Sequence, residues 1–293
     1  MKKFVKNVLL FFICITIISS TITSILYSNR DRLIDYRLND DAKTIFIGNS
    51  MLECAIVDSR LPQCQNVAKS AKQYLFALAD LREILDNNPQ VKTVVLGCSP
   101  FTLRENNADQ QYYDAAYIES VNFYAPFLNI KEYAMLPQIL PFLKFNMGVY
   151  GLRFLRDTQK PGGYLYNTRN RLAKDIALRE QGGTDGKSVA SDRNESSGVG
   201  NSITIYCLEQ IKQLCADHNV KLKFVSTPIW HARESYDLDV YRALMRKYLT
   251  ENESDIYDYT ELELPDSCYA DVIHLNHWGA DRFTEVLAEG LNH

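Results

Sequence analysis

At 293 residues, with 46% hydrophobic and 23% charged side chains, the chain is long enough to bury the core of one large domain or two small ones. Its formal net charge is −4 and no basic block interrupts the globular part, which argues against nucleic acid as a partner because phosphate binding needs clustered Lys and Arg. So small a charge selects nothing further among substrates.

The N-terminus carries the clearest break in composition. Lys2, Lys3 and Lys6 precede an uncharged run over residues 8–27, rich in Ile, Leu and Phe. As a helix this run reaches about 30 Å, the thickness of a bilayer's hydrocarbon core. The preceding lysines place the N-terminus in the cytoplasm, so residues 1–29 read as a cytoplasmic tip and a single-pass transmembrane anchor in the cytoplasmic (inner) membrane. Everything beyond Asn29 is then extracytoplasmic, in a periplasm or outside the cell. A cleavable signal peptide is the competing reading; it usually has a shorter apolar region and an A-x-A-like site, and only Ser19-Ser20-Thr21 offers a place to cut. Cys14 lacks the small-residue context of a lipoprotein site and reads as a membrane-facing side chain.

Residues 30–42 are charged and polar and read as a stalk, followed by a domain over 43–293. A strand is predicted at 43–48 (KTIFIG) and a weaker one at 64–68. Leu75, Leu78, Leu81 and Leu85 recur at helical spacing before the Asp86-Asn87-Asn88-Pro89 stop, and 91–97 (VKTVVLG) reads as a buried strand. The C-terminal half repeats the alternation: a helix over 203–218 with Ile205, Leu208, Ile211 and Leu214 on its apolar face, a strand over 220–226, a helix over 240–249, a short strand over 255–259 and a closing helix over 278–291. Strands alternating with helices imply βαβ units and a mostly parallel sheet covered on both faces.

Residues of about 105–200 break this rhythm and read as an insertion above the C-terminal edge of the sheet, where open α/β sheets bind ligands. Its first part, 110–180, is aromatic and helical or irregular. Its last part, 181–201, is dominated by Gly, Ser, Asp and Asn, too polar to offset its ordering entropy, and reads as a loop, inert or lid-like. Six of the seven cysteines (Cys54, Cys64, Cys98, Cys207, Cys215 and Cys268) fall in the exported part. They can pair or stay as buried thiols, Cys54 and Cys64 being near enough to staple a loop. No C-x-x-C occurs, so structural zinc and thioredoxin-like chemistry get no support.

Two motifs carry chemistry. At the end of the first strand stands Gly48-Asn49-Ser50. A nucleophilic serine needs an exposed hydroxyl with backbone amides nearby to receive negative charge, and a tight turn at the end of a parallel strand supplies both, especially where a helix begins. Far down the chain stands Asp271-Val272-Ile273-His274-Leu275-Asn276-His277-Trp278-Gly279-Ala280. An Asp three residues before a His can fold back and accept the Nδ1 proton, leaving Nε2 for the serine. Each motif has a bland alternative: an ordinary turn for the first, a helix cap for the second.

Together they resemble the SGNH/GDSL superfamily of esterases and acyltransferases, whose glycine-x-serine turn follows the first strand and whose Asp-x-x-His precedes the last helix. The chain order Ser, Asp, His agrees, and the likeness covers roughly residues 43–100 and 200–290. The resemblance implies a flavodoxin-like three-layer sandwich of about five mostly parallel strands. It implies Ser50, Asp271 and His274 as a catalytic triad without metal or cofactor, and an oxyanion hole built from the backbone N–H of Ser50 and two further donors. The chain departs from the family at Asn49, which stands for the usual Asp. It departs again in the second block, Asn66-Val67-Ala68-Lys69-Ser70-Ala71, where Ala71 replaces a glycine. In the third block, Gly97-Cys98-Ser99, Ser99 stands for an asparagine donor; Arg104, Asn106 or Asn107 are alternative donors from the insertion.

A metal site from His231, Asp271, His274 and His277 fits no common zinc spacing. Tyr112, Tyr113, Tyr117, Tyr124 and Trp230 are candidates for stacking on sugar rings, though aromatics are more often core. By analogy with membrane-tethered relatives, the expected function is an O-acyl esterase or O-acyltransferase on cell-envelope or secreted glycan, served by a membrane-bound acyl-donor system. The rival is a catalytically degenerate SGNH-like domain that binds glycan or scaffolds an envelope assembly.

Overall fold

The computed structural model describes residues 2–28, 34–103, 124, 127–135, 159–180, 202–250 and 252–291. In chain order its elements are α1 (Lys2–Ser28), β1 (Thr44–Ile47), α2 (Ser50–Ala55), β2 (Cys64–Asn66), α3 (Tyr74–Asn87), β3 (Thr93–Gly97), α4 (Ile130–Met135), α5 (Leu172–Glu180), α6 (Ser202–Asp217), β4 (Lys221–Ser226), α7 (Ala232–Ser235), α8 (Leu238–Tyr248), β5 (Ile256–Asp258) and α9 (His277–Leu291). They fall into two compact units, Met1–Tyr36 with Gln111–Lys160, and Arg37–Gln110 with Pro161–His293.

The first unit holds α1 and α4. Ile34 bridges to Gln159 in parallel fashion, Lys160 Nζ bonds Asp35 Oδ2 at 3.1 Å, and Tyr36 meets the Phe127 ring edge-on. α1 is one helix of 27 residues whose Phe4, Leu9, Phe11, Phe12, Ile17 and Ile18 are exposed. Thr16 and Thr21 return their hydroxyls to the carbonyls of Phe12 and Ile17, both at 2.8 Å. Among the described residues no helix is long and apolar enough to cross a membrane. The expected transmembrane helix is thus observed as a helix and not as a span. Tyr124 is buried in this unit, whereas Tyr112, Tyr113, Tyr117 and the polar segment 181–201 lie outside the described residues.

The second unit is built on a five-stranded sheet in the order β2-β1-β3-β4-β5, parallel throughout. Ile45, Phe46 and Ile47 of β1 and Val94, Val95 and Leu96 of β3 are all fully buried, because helices cover both faces of these central strands and leave no solvent side to alternate with. The chain steps from β1 to β2 in one direction and returns past β1 to β3 in the other. With right-handed crossovers this puts α2 and α9 on one face and α3 and α6 on the opposite face. It also opens a crevice at the C-terminal ends of β1 and β3, the switch point where such sheets bind ligands.

The helices follow their sequence signals with two adjustments. α3 ends where Asn88 donates to the Ile84 carbonyl at 2.7 Å and accepts from Leu38 N at 2.9 Å. α8 begins at Leu238, ahead of the expected position, because Asp237 caps it by accepting from Val240 N at 3.1 Å. α6 buries Cys207, Leu208, Ile211 and Cys215, while Ile205 and Leu214 are only half-buried. Its inward stripe is set by two cysteines acting as small apolar side chains. All seven cysteines are free, so the staple considered between Cys54 and Cys64 does not form. Burial pushes both of those thiols up to about 11.

Candidate active site

The two motifs meet at the C-terminal edge of the sheet, beside the switch point. Gly48 and Gly97 close up there: a Cβ on Gly48 would stand 3.3 Å from the Gly97 Cα and 3.3 Å from Leu52 Cδ2. Two bare backbones let the ends of β1 and β3 approach while Leu52 folds over them. Asn49 caps α2, its Oδ1 accepting from Met51 N at 3.1 Å. An aspartate would accept the same bond, so Asn49 preserves the turn. Ser50 opens α2, half-buried, and its N–H lies in the first turn, where no earlier helical carbonyl can take it.

Ser50 Oγ stands 2.8 Å from His274 Nε2. On the far side of the ring, His274 Nδ1 lies 2.9 Å from each oxygen of Asp271. An ionised carboxylate only accepts, so Nδ1 carries the ring proton and the Nε2 lone pair faces the serine hydroxyl. Asp271 Oδ1 also accepts from the N–H groups of Ile273 at 3.0 Å and His274 at 2.8 Å. Burial opposes ionisation of Asp271, but the bond and charge of His274, with those two N–H groups, outweigh it and hold the carboxyl below its ordinary range.

The loop that presents the histidine is tied across its base. Tyr269 bridges to Leu275 and Ala270 N donates to the His274 carbonyl at 2.8 Å. The buried Asn276 donates to the carbonyls of Ser267 (2.7 Å) and Tyr269 (3.3 Å), while its Oδ1 accepts from Trp278 and Gly279 N. One side chain thus caps α9 and holds the loop. A Cβ on Gly279 would lie 2.1 Å from the Cys268 carbonyl oxygen, so only glycine lets α9 start this close to the loop. These contacts account for the Leu-Asn-x-x-Gly that trails His274 in the sequence.

The second block crosses the end of β1, with Val67 N bonded to Phe46 O and Lys69 N to Gly48 O. Ala71 adopts a left-handed backbone (φ 60) in a turn closed by Lys72 N on Lys69 O at 3.1 Å. That conformation favours glycine, and the chain keeps it with alanine. Beside it the buried Lys72 pairs with Asp80 at 2.6 Å and donates to the carbonyls of Val67 and Pro161. Both groups are essentially inaccessible, so this ion pair nails the block to α3. Sequence reading missed it, since a Lys and an Asp eight positions apart give no local signal.

The third block differs from expectation. Ser99 reaches the edge of the sheet but is buried, and its hydroxyl is engaged with Thr102: Thr102 N donates to Ser99 Oγ at 3.2 Å, and the two hydroxyls lie 3.4 Å apart. It therefore works as a turn-former rather than a free donor. Arg104, Asn106 and Asn107 lie outside the described residues. Sequence reading also missed residues 161–171, which run past the motifs. Gly162 packs so closely that a Cβ would meet the Ala68 carbonyl oxygen at 2.2 Å, and Gly163 N bonds that oxygen at 3.0 Å. Pro161-Gly162-Gly163 is the one local hint of a close backbone approach.

The other two histidines considered as metal ligands serve separate partners. His277 faces the Asn167 carbonyl and His231 faces Glu234. Among the described residues no group of three or more His, Cys, Asp or Glu is placed to hold a metal ion. Trp230 stacks on His231 with ring centroids 4.1 Å apart and donates to Asp266 Oδ1. With Ile229, Glu261, Leu264 and Tyr269 it lines a cavity of about 440 Å³. Its backbone N–H bonds the Val272 carbonyl at 3.2 Å, so this cavity borders the histidine loop.

No protein-family model matches the chain, and no curated protein is significantly similar to it. Chemically the arrangement offers a half-buried serine hydroxyl aimed at an imidazole nitrogen, with a carboxylate on the far side of the ring.

Proposed function

We propose that the protein is an extracytoplasmic serine esterase or O-acyltransferase of the SGNH type, acting on acyl esters, most simply acetyl, of cell-envelope or secreted glycan. The observation that carries the reading is the relay Ser50 Oγ to His274 Nε2 at 2.8 Å with both Asp271 oxygens 2.9 Å from Nδ1. Ser50 attacks the ester carbonyl while its proton passes to Nε2, and Asp271 stabilises the imidazolium that forms. The backbone N–H groups of Ser50 and Ala71 are the donors for the tetrahedral oxyanion, Ser99 being engaged elsewhere. Collapse of the intermediate returns the Nε2 proton to the leaving alcohol and leaves an acyl-serine. Water, or a sugar hydroxyl in the transferase case, then attacks that ester with His274 again as base.

Glycan as the substrate follows from the family resemblance and from location. The location rests on the lysine-flanked uncharged run at 8–27, long enough by sequence to span about 30 Å. Membrane extraction of the full chain tests the anchor. A membrane-bound acyl-donor system is the partner a transferase would need.

The test is active-site labelling of the full chain in detergent with a fluorophosphonate. The expected outcome is labelling of the parent, abolished in Ser50→Ala and His274→Ala and slowed about 10²- to 10⁴-fold in Asp271→Asn. A folded parent that stays unlabelled sinks the enzyme reading and favours the degenerate binding or scaffolding role, for which the engaged Ser99 is the supporting observation.

A further inference from the structure

The segment 161–171 bonds both to the helix that carries Ser50 and to the loop that carries His274. Leu165 N bonds the Glu53 carbonyl of α2 at 2.9 Å, and Arg171 N bonds the Ala270 carbonyl at the start of the histidine loop at 2.6 Å. Between these anchors sits Asn167, 6% exposed. Its Nδ2 donates to the Leu275 carbonyl at 3.0 Å and faces Cys54 Sγ at 3.7 Å. Its own carbonyl accepts from His277 N at 2.9 Å, and its Oδ1 accepts from Arg169 N at 3.1 Å, which fixes the amide's orientation. Leu275 directly follows His274, and Cys54 lies one helical turn beyond Ser50 on α2. A single buried amide therefore reaches both the helix that carries the nucleophile and the loop that carries the base.

We infer that Asn167 is a positioning residue that sets the spacing between Ser50 and His274. The inference rests on the triad reading for its catalytic consequence, while its mechanical content stands alone. Ser50 and His274 are separated by 224 positions, and their 2.8 Å contact needs the two segments held in register; Thr284 of α9 contributes by bonding Val57 N and the Ala55 carbonyl at the far end of α2. Asn167 contributes from a third segment that touches neither reacting atom. A shift of about 1 Å between catalytic groups can lower a rate about 10²-fold, so loosening this tie acts on turnover rather than on substrate affinity.

The experiment compares the full chain with Asn167→Ala and Asn167→Asp, reading three quantities: kcat and KM on a small ester such as p-nitrophenyl acetate, fluorophosphonate labelling rate, and amide hydrogen exchange by peptide. Asn167→Asp keeps the shape and the acceptor for Arg169 N but loses the donors. Both variants are expected to lose about 10- to 100-fold in kcat and labelling rate with KM changed less than about threefold. Exchange should accelerate in peptides covering 50–55 and 270–277 while β1, β3 and β4 remain protected. Parental rates and exchange in either variant overturn the inference, as does loosening spread evenly through the sheet, which would make Asn167 an ordinary structural residue. A parent without esterase activity or labelling overturns the proposed function instead, and the exchange comparison still decides the tie.

Discussion

At the scale of single residues, Ala71 carries the most instructive compromise. Its φ of 60 is a left-handed conformation at the place where the resembling family uses glycine. For an L-residue with a Cβ that conformation costs about 1–2 kcal/mol, whereas glycine's extra freedom in the unfolded chain costs about 0.5–1 kcal/mol. Ala71→Gly is therefore expected to stabilise the protein by about 0.5–1 kcal/mol, read from the denaturant midpoint at constant m. Labelling of Ser50 should persist, since glycine presents the same N–H. A destabilised variant would mean that the methyl group makes packing contacts that outweigh the backbone strain. Ser50, His274 and Asp271 are legible in the sequence because each stands beside a strand end or helix start, and because Asp271 reaches His274 within three positions. Ser99 departs from its expected role for a matching reason: a hydroxyl can turn back to Thr102, three positions on, as readily as outward to a ligand.

At the scale of elements, glycine marks where two backbones must touch. Gly279 sets how closely α9 approaches the Cys268 carbonyl, and a Cβ there would sit 2.1 Å from that oxygen. A Cβ on Gly163, by contrast, would meet nothing within 4 Å. Gly279→Ala should destabilise by about 1–3 kcal/mol, or more if α9 cannot shift, and slow Ser50 labelling because the same shift moves the histidine loop. Gly163→Ala should stay within about 0.5 kcal/mol of the parent in thermal or denaturant unfolding. Equal effects at the two positions would show that backbone closeness is not what these glycines supply. The buried Lys72–Asp80 pair belongs to this scale too, since it links the second block to α3 and, through Pro161, to the segment carrying Asn167.

At the scale of the whole molecule, the chain combines a sheet unit, complete in its own core, with an N-terminal helix of different character. If residues 8–27 cross the bilayer, the full chain should remain in membranes through carbonate and high-salt washes and enter solution only with detergent. Release by carbonate alone would remove the anchor from the proposal and leave the triad untouched, because among the described residues the hydrogen bonds that join the triad lie within Arg37–Gln110 and Pro161–His293. Sequence by itself determined the alternation of strands and helices, the apolar N-terminal run and the three residues of the relay, since all of these are written in local spacing and side-chain type. The tertiary structure decided the rest. It brought Ser50 to His274 over 224 positions, turned two cysteines of α6 inward in place of Ile205 and Leu214, and engaged Ser99 in its own turn. It also buried Lys72 against Asp80 and drew Asn167 between α2 and the histidine loop. Those outcomes depend on which surfaces meet when separate segments pack, and a linear pattern with a period of two or 3.6 residues holds no record of that.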